Sequence, residues 1–364
     1  MKALLTRPIT ETMNAAAATT FPTPAQRAPG ERMRHRPRLG FFGAGSLARE
    51  RMHAIAVDGA AEVVAICDAD AQKRDIARGV EPGAVLCESM DALLALPVDG
   101  LVLATPGQAQ AAQAEVALAR GIAVFSLLPL ACNAAETRGV IDAAQRADRL
   151  LGVDLPYRRT LAMQRVRQCI AASDIGEVFA IDLALHLALG PDRTWLLGPQ
   201  RPGGGGGCVS NLGIHMIDLA LWVLDFPRVR AVTGCLHADG RRLAMPGVHV
   251  EDHALAQFEL PDGCVVRLAC SWNRPAGRDA TIEARFHGTR GGSLSFHNVK
   301  GSLHHFAAER FEGARTLSLA APPDAWNDRA ASHWVHMLAA GGRFDPEILR
   351  LVQVAEVVDA IYAG

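Results

Sequence analysis

A chain of 364 residues exceeds one ordinary domain, so two domains are expected. Its 49% hydrophobic content and formal net charge of −1 exclude a disordered polyelectrolyte. They also give no electrostatic reason to bind nucleic acid or an anionic membrane. No apolar run reaches the ~20 residues of a bilayer span. The eight cysteines are scattered and form no CxxC pair, so reduced thiols in a cytoplasmic protein without a metal are expected. Lysine occurs only as Lys2, Lys73 and Lys300.

Residues 1–36 are rich in Thr, Pro and Ala and do not resemble a secretion signal. They read as a flexible tail, or as an over-extended start with Met33 as the true one. Leu39–Phe42 is a short apolar strand ending at Gly43, followed by helical spacing from Leu47 to Ile55. Strand Glu62–Cys67 and helix Ala71–Arg78 come next, then a strand at Val85 and a helix over Ser89–Leu96. Strand Gly100–Ala104, helix Ala109–Arg120, strand Ile122–Ser126, helix Ala134–Arg149 and strand Leu150–Asp154 complete the series. This alternation predicts βαβ units and a parallel sheet over residues 37–156.

Past Pro156 the rhythm changes. A helix over Leu161–Ala172 precedes alternating runs at Val178–Leu187, Arg230–Leu236, His253–Leu260, Cys264–Trp272 and Thr281–His287. Turns such as Pro261-Asp262-Gly263 predict hairpins. A glycine tract, Gly203–Gly207, leads to a helix over Leu212–Leu224, and the chain is helical again from Trp334. Residues 157–364 are therefore expected to form a second domain.

Gly43-Ala44-Gly45-Ser46-Leu47-Ala48 is a GxGxxA turn after a strand and before a helix. The glycines allow a tight turn and close approach of a pyrophosphate, and the helix N-terminus faces its charge. Asp68 ends the second strand, where a carboxylate grips ribose hydroxyls and disfavours a 2′-phosphate. NAD is expected as the cofactor, with NADP as the alternative because Lys73 and Arg74 lie nearby.

With these residues the chain resembles the glucose–fructose oxidoreductase/inositol dehydrogenase (Gfo/Idh/MocA) family. Ala104-Thr105-Pro106, Ile175-Gly176, the glycine tract, Asn211-Leu212-Gly213-Ile214-His215-Met216-Ile217-Asp218, Glu251-Asp252 and Cys270-Ser271-Trp272 carry the rest of the likeness. The resemblance implies an α/β fold, with an N-terminal Rossmann domain and a C-terminal α+β domain built on a large, mainly antiparallel open sheet. It implies a homodimer or homotetramer formed through that sheet, and a small, sugar- or cyclitol-like substrate. It also implies that Gly43, Gly45, Ser46, Leu47, Asp68, Thr105, Pro106 and Pro129 line the cofactor. Three positions depart from the family pattern. Leu128 falls where a Glu-Lys-Pro motif carries its lysine, Gln110 where a histidine follows Thr-Pro, and Asn211 where many members carry aspartate.

His215 is the best remaining acid/base, and Asp218 at i+3 is the neighbour expected to orient it. Tyr157 reads either as a proton donor or as a packing aromatic at the cleft. Arg158 reads either as an anion binder or as a salt-bridge partner. Asn211 is expected to help hold the substrate. Trp195 is a candidate to stack on a sugar ring, and His297, His304 and His305 lack the spacing of a metal site. Two functions follow. One is an NAD(P)-dependent oxidoreductase moving a hydride to or from a sugar- or cyclitol-like alcohol or ketone. The other is a catalytically impaired dinucleotide-binding protein acting as a sensor or assembly partner.

Overall fold

The computed structural model describes residues 36–105, 107–188, 206–244, 250–324 and 329–364. The expected tail, Pro106, Trp195 and Gly203–Gly205 lie outside them. The first sheet collects β1 (Arg38–Phe42), β2 (Glu62–Cys67), β3 (Val85–Cys87), β4 (Gly100–Leu103), β5 (Ala123–Ser126) and β6 (Leu151–Val153). Between them run α1 (Ser46–Asp58), α2 (Ala71–Arg78), α3 (Met90–Leu94), α4 (Gly107–Ala119) and α5 (Ala134–Ala147). All pairs are parallel, in the order β3-β2-β1-β4-β5-β6. The central strands β4 and β5 are buried along their whole length, which is why they read as unbroken apolar runs rather than alternating ones. The order reverses between β1 and β4, and ligands of such sheets bind in the crevice at that point.

A short 3-10 turn, Pro156–Arg159, leads out of this sheet into α6 (Leu161–Ala171). The second sheet holds β7 (Val178–Leu187), β8 (Arg230–Ala238), β9 (Arg241–Arg242), β10 (His253–Glu259), β11 (Val265–Ser271), β12 (Ala280–Gly288), β13 (Gly292–Asn298), β14 (Phe306–Glu312) and β15 (Arg315–Ala320). Their order is β15-β14-β13-β12-β7-β11-β10-β8-β9, antiparallel except where β7 meets β11. One face, with Leu183, Leu268, Phe258 and Phe286, is buried in the core. Helices α6, α7 (Ile214–Val223) and α9 (Arg350–Ala363) pack there. The other face carries Asp182, Ala184, Leu255, Arg267, Ala269 and Glu283 around a long open groove.

Two features differ from the sequence expectation. The helix expected from Leu212 begins earlier as a π-helical turn, Val209–Gly213, that runs into α7. The terminal helices do not all serve the second sheet. α8 (Arg329–Ala339) lays Trp334 on the first sheet, with its ring 5.5 Å from Phe125. A side chain on Gly152 would meet Trp334 at 2.5 Å, so the strand is glycine where the indole crosses it. No helix among the described residues is long and apolar enough to cross a membrane.

Candidate active site

The turn after β1 is built around backbone donors. Gly43 has φ +100°, and a Cβ on it would lie 2.4 Å from the Ala104 carbonyl oxygen. Only glycine fits there. The Gly43 N–H donates to Cys67 at 2.8 Å, and the Ala44 N–H donates to Asp68 Oδ2 at 2.8 Å. Asp68 Oδ1 accepts from the Asp70 N–H at 2.9 Å, so the carboxylate is fixed at the mouth of the turn. Gly45 caps α1 without a side-chain bond, no acid follows in the first turn, and the space beside Gly45 is open. Ser46 and Leu47 are exposed at this end. The first-turn N–H groups at the helix N-terminus and the open space beside Gly45 match the pyrophosphate of a dinucleotide.

The wall across the crevice is tied down internally. Gln110 is buried, donates to the Thr105 carbonyl and accepts from Ser126 Oγ at 2.7 Å. Its amide is thus spent on joining the ends of β4 and β5. Thr105 Oγ1 donates to Gln113. Pro129 lies against Gly107, where an added Cβ would stand 2.9 Å from its Cγ. Leu128 is buried and lines a small cavity with Ile214, Leu351 and Val358.

His215 stands in the first turn of α7 and is half-buried. Its Nδ1 is buried and has no hydrogen-bond partner. Burial, with the Arg51 guanidinium as a second cause, pulls its pKa down to about 4, so the ring is neutral at physiological pH. Tyr157 meets it edge-on, ring centres 5.6 Å apart, and also packs edge-on against Phe306 at 5.5 Å. Burial raises the Tyr157 hydroxyl's pKa, so it stays protonated. Asn211 lies on the π turn, half-exposed, its backbone N–H donating to the Gly207 carbonyl at 3.1 Å and its side-chain amide bonded to no described residue.

Asp218 does not orient His215. It is buried and accepts two bonds from Arg158, one of them from Nε at 2.6 Å. Arg158 lies over Trp222 at 5.7 Å and Phe226 at 5.2 Å, so it is a clamped structural cation rather than a free anion binder.

Four supporting residues, Arg51, Asp154, Glu251 and Tyr362, were not assigned roles from sequence. Arg51, 1% exposed, donates from Nε and Nη2 to Asp154 Oδ2 at 3.0 and 2.7 Å. The signal was present: Arg51 falls on the buried stripe of α1 with Ala48, Met52 and Ile55. A cation on an apolar stripe needs a buried partner. Glu251 accepts from the Val209 N–H at 3.0 Å and from the Tyr362 hydroxyl at 2.5 Å, holding the start of the π turn. Among the described residues no three histidine, cysteine or carboxylate groups gather around a metal position.

The parallel sheet, with its order reversed between β1 and β4, and its uncapped glycine turn define a dinucleotide-binding protein. The chain belongs to the GFO/IDH/MocA oxidoreductases. Residues 38–155 match the model described as "Oxidoreductase family, NAD-binding Rossmann fold", and residues 163–293 match the GFO/IDH/MocA C-terminal domain. The chain is therefore an NAD(P)-dependent oxidoreductase. D-glucoside 3-dehydrogenase of Escherichia coli is 25% identical over 271 residues, which is 71% of this chain and 77% of that one. A 3-ketoreductase from Actinomadura kijaniata, crystallised with NADP and TDP-benzene, superposes with a TM-score of 0.76 at 19% identity. That match covers 90% of this chain and 97% of the other. GenD2 from gentamicin A biosynthesis, in complex with NAD, has a TM-score of 0.74 at 21% identity, covering 93% and 97%.

Proposed function

We propose that the protein moves a hydride between NAD(H), preferred over NADP(H), and a carbinol or ketone carbon of a sugar- or cyclitol-like substrate. When bound, the nicotinamide supplies the hydride acceptor or donor. Gly43, Gly45, Ser46 and Leu47 cradle the pyrophosphate, Asp68 takes the ribose hydroxyls, and Thr105, Pro106 and Pro129 border the ring. His215 takes the hydroxyl proton as the carbinol is oxidised and returns it when a ketone is reduced. Asn211 and Tyr157 hold the substrate. The observation that carries this reading is the open, uncapped glycine turn after β1, with His215 in the first turn of α7 holding a buried Nδ1 that no described side chain takes. A neutral imidazole has a nitrogen lone pair that can take the hydroxyl proton, although burial that lowers its pKa also weakens it as a base. The alternative, a dinucleotide-binding protein without turnover, rests on the departures at Leu128 and Gln110, and the family comparisons do not favour it over the enzyme. We place the enzyme in the cytoplasm, where its thiols stay reduced, as a homodimer or homotetramer joined through the open sheet face.

The test is calorimetric titration with NADH and NADPH, then NADH oxidation against a panel of keto-sugars and cyclitol ketones. His215→Ala is expected to lower kcat by about 10²–10⁴ with NADH affinity nearly unchanged. Equal activity in both proteins would remove the acid/base role. Tighter NADPH binding would remove the Asp68 argument.

A further inference from the structure

A histidine acting through one ring nitrogen needs its proton fixed on the other, and that is set by what the other nitrogen bonds. With Asp218 spent on Arg158, the site still lacks such a partner for His215. Nδ1 of His215 is one orphaned buried atom, and Asp154 Oδ1 is another. Asp154 is 6% exposed at the end of β6, beside the end of β5, where its N–H donates to Ser126 at 2.9 Å. Its Oδ2 takes both bonds from Arg51, which leaves Oδ1 without a donor.

The two orphans share one buried cluster. Arg51 bonds Asp154 and acts electrostatically on His215. Tyr157 lies edge-on to His215 and feels the Asp154 charge. An unsatisfied buried polar atom costs about 1–3 kcal/mol, so two in one cluster call for a common partner. A single water has the right valence. It accepts from an Nδ1–H and donates to a carboxylate oxygen.

We propose that Asp154, clamped by Arg51, is the positioning residue for His215, accepting from its Nδ1–H through one buried water and leaving Nε2 as the proton acceptor. This rests on the acid/base role given to His215 above. Arg51 has two effects here. It fixes the carboxylate's rotation with a forked bond, and its charge opposes a second proton on the imidazole. If the pair were only a structural bridge between α1 and the linker, the histidine tautomer would be indifferent to it.

The experiment reads that tautomer directly. The full-length protein is labelled with 15N-histidine and examined by long-range 1H–15N correlation, with the His215 signal identified by its loss in His215→Gln. The Nδ1–H tautomer is expected in the wild type. Asp154→Asn, which keeps shape but turns a donor toward the water, is expected to switch it to Nε2–H. Arg51→Lys, which keeps the charge, is expected to retain Nδ1–H. A wild-type Nε2–H form, or a tautomer unmoved by Asp154→Asn, overturns the proposal, and the first needs no variant to fold. Because the spectrum requires no turnover, it stands or falls separately from the oxidoreductase reading. Where turnover is measured, Asp154→Asn is expected to lower kcat by about 10²–10⁴ with little change in NADH affinity.

Discussion

Leu128 faces a small cavity lined mainly by apolar side chains. It is buried beside Ile214, Leu351 and Val358, and the one carboxylate lining that cavity, Asp359, already accepts from the Ala134 N–H. Leu128→Lys therefore places an ammonium among aliphatic side chains. A loss of roughly 2–4 kcal/mol is expected, seen as a melting point lower by about 5–10 °C. An unchanged melting point with faster turnover would show instead that the cavity accepts a cation. At this scale, what could be read from sequence was what is local. The geometry of Gly43, Gly45 and Asp68 follows from a strand, a turn and a helix in succession. The partner of Asp218 did not follow, because Arg158 lies 60 residues away and takes the carboxylate that i+3 spacing assigned to His215. The Arg51–Asp154 pair, 103 residues apart, was hidden for the same reason.

Among the elements, the parallel strands were legible because burial on both faces leaves nothing but apolar residues. β7 was legible because one covered face imposes a period of two. Strands β13 to β15 were not anticipated. They lie toward one edge of the sheet, where β15 is mostly exposed and polar residues interrupt the pattern. The π turn was invisible because it depends on Glu251, far along the chain, bonding the Val209 N–H. That turn makes its own demand on sequence. A Cβ on Gly207 would stand 2.0 Å from Glu251 Cδ, so Gly207→Ala must push the carboxylate away. A destabilisation of about 1–3 kcal/mol with reduced turnover is expected. Thermal unfolding of Gly207→Ala, Glu251→Ala and the double variant checks it. The two losses should be less than additive, and strict additivity would break the link.

For the whole molecule, the uncovered face of the nine-stranded sheet is the surface that calls for a partner. Leu255 is 47% exposed on β10 of that face, with Cys235 and Ala269 in register on either side. Light scattering is expected to give a dimer or tetramer, and Leu255→Glu to dissociate it; a monomeric wild type at micromolar concentration would refute the interface. The crossing of α8 onto the first sheet has a consequence for biosynthesis. Leu39, Phe125 and Val102 share a core with Ala331, Trp334 and Val335, which the ribosome makes about 200 residues after Phe125. The cofactor-binding half therefore emerges with part of its core missing and waits for α8 to close it. A chain stopped at residue 156 should stay aggregation-prone and bind no NADH, and adding the 329–364 segment in trans should restore some solubility. A soluble, NADH-binding truncation would mean that the first half completes itself.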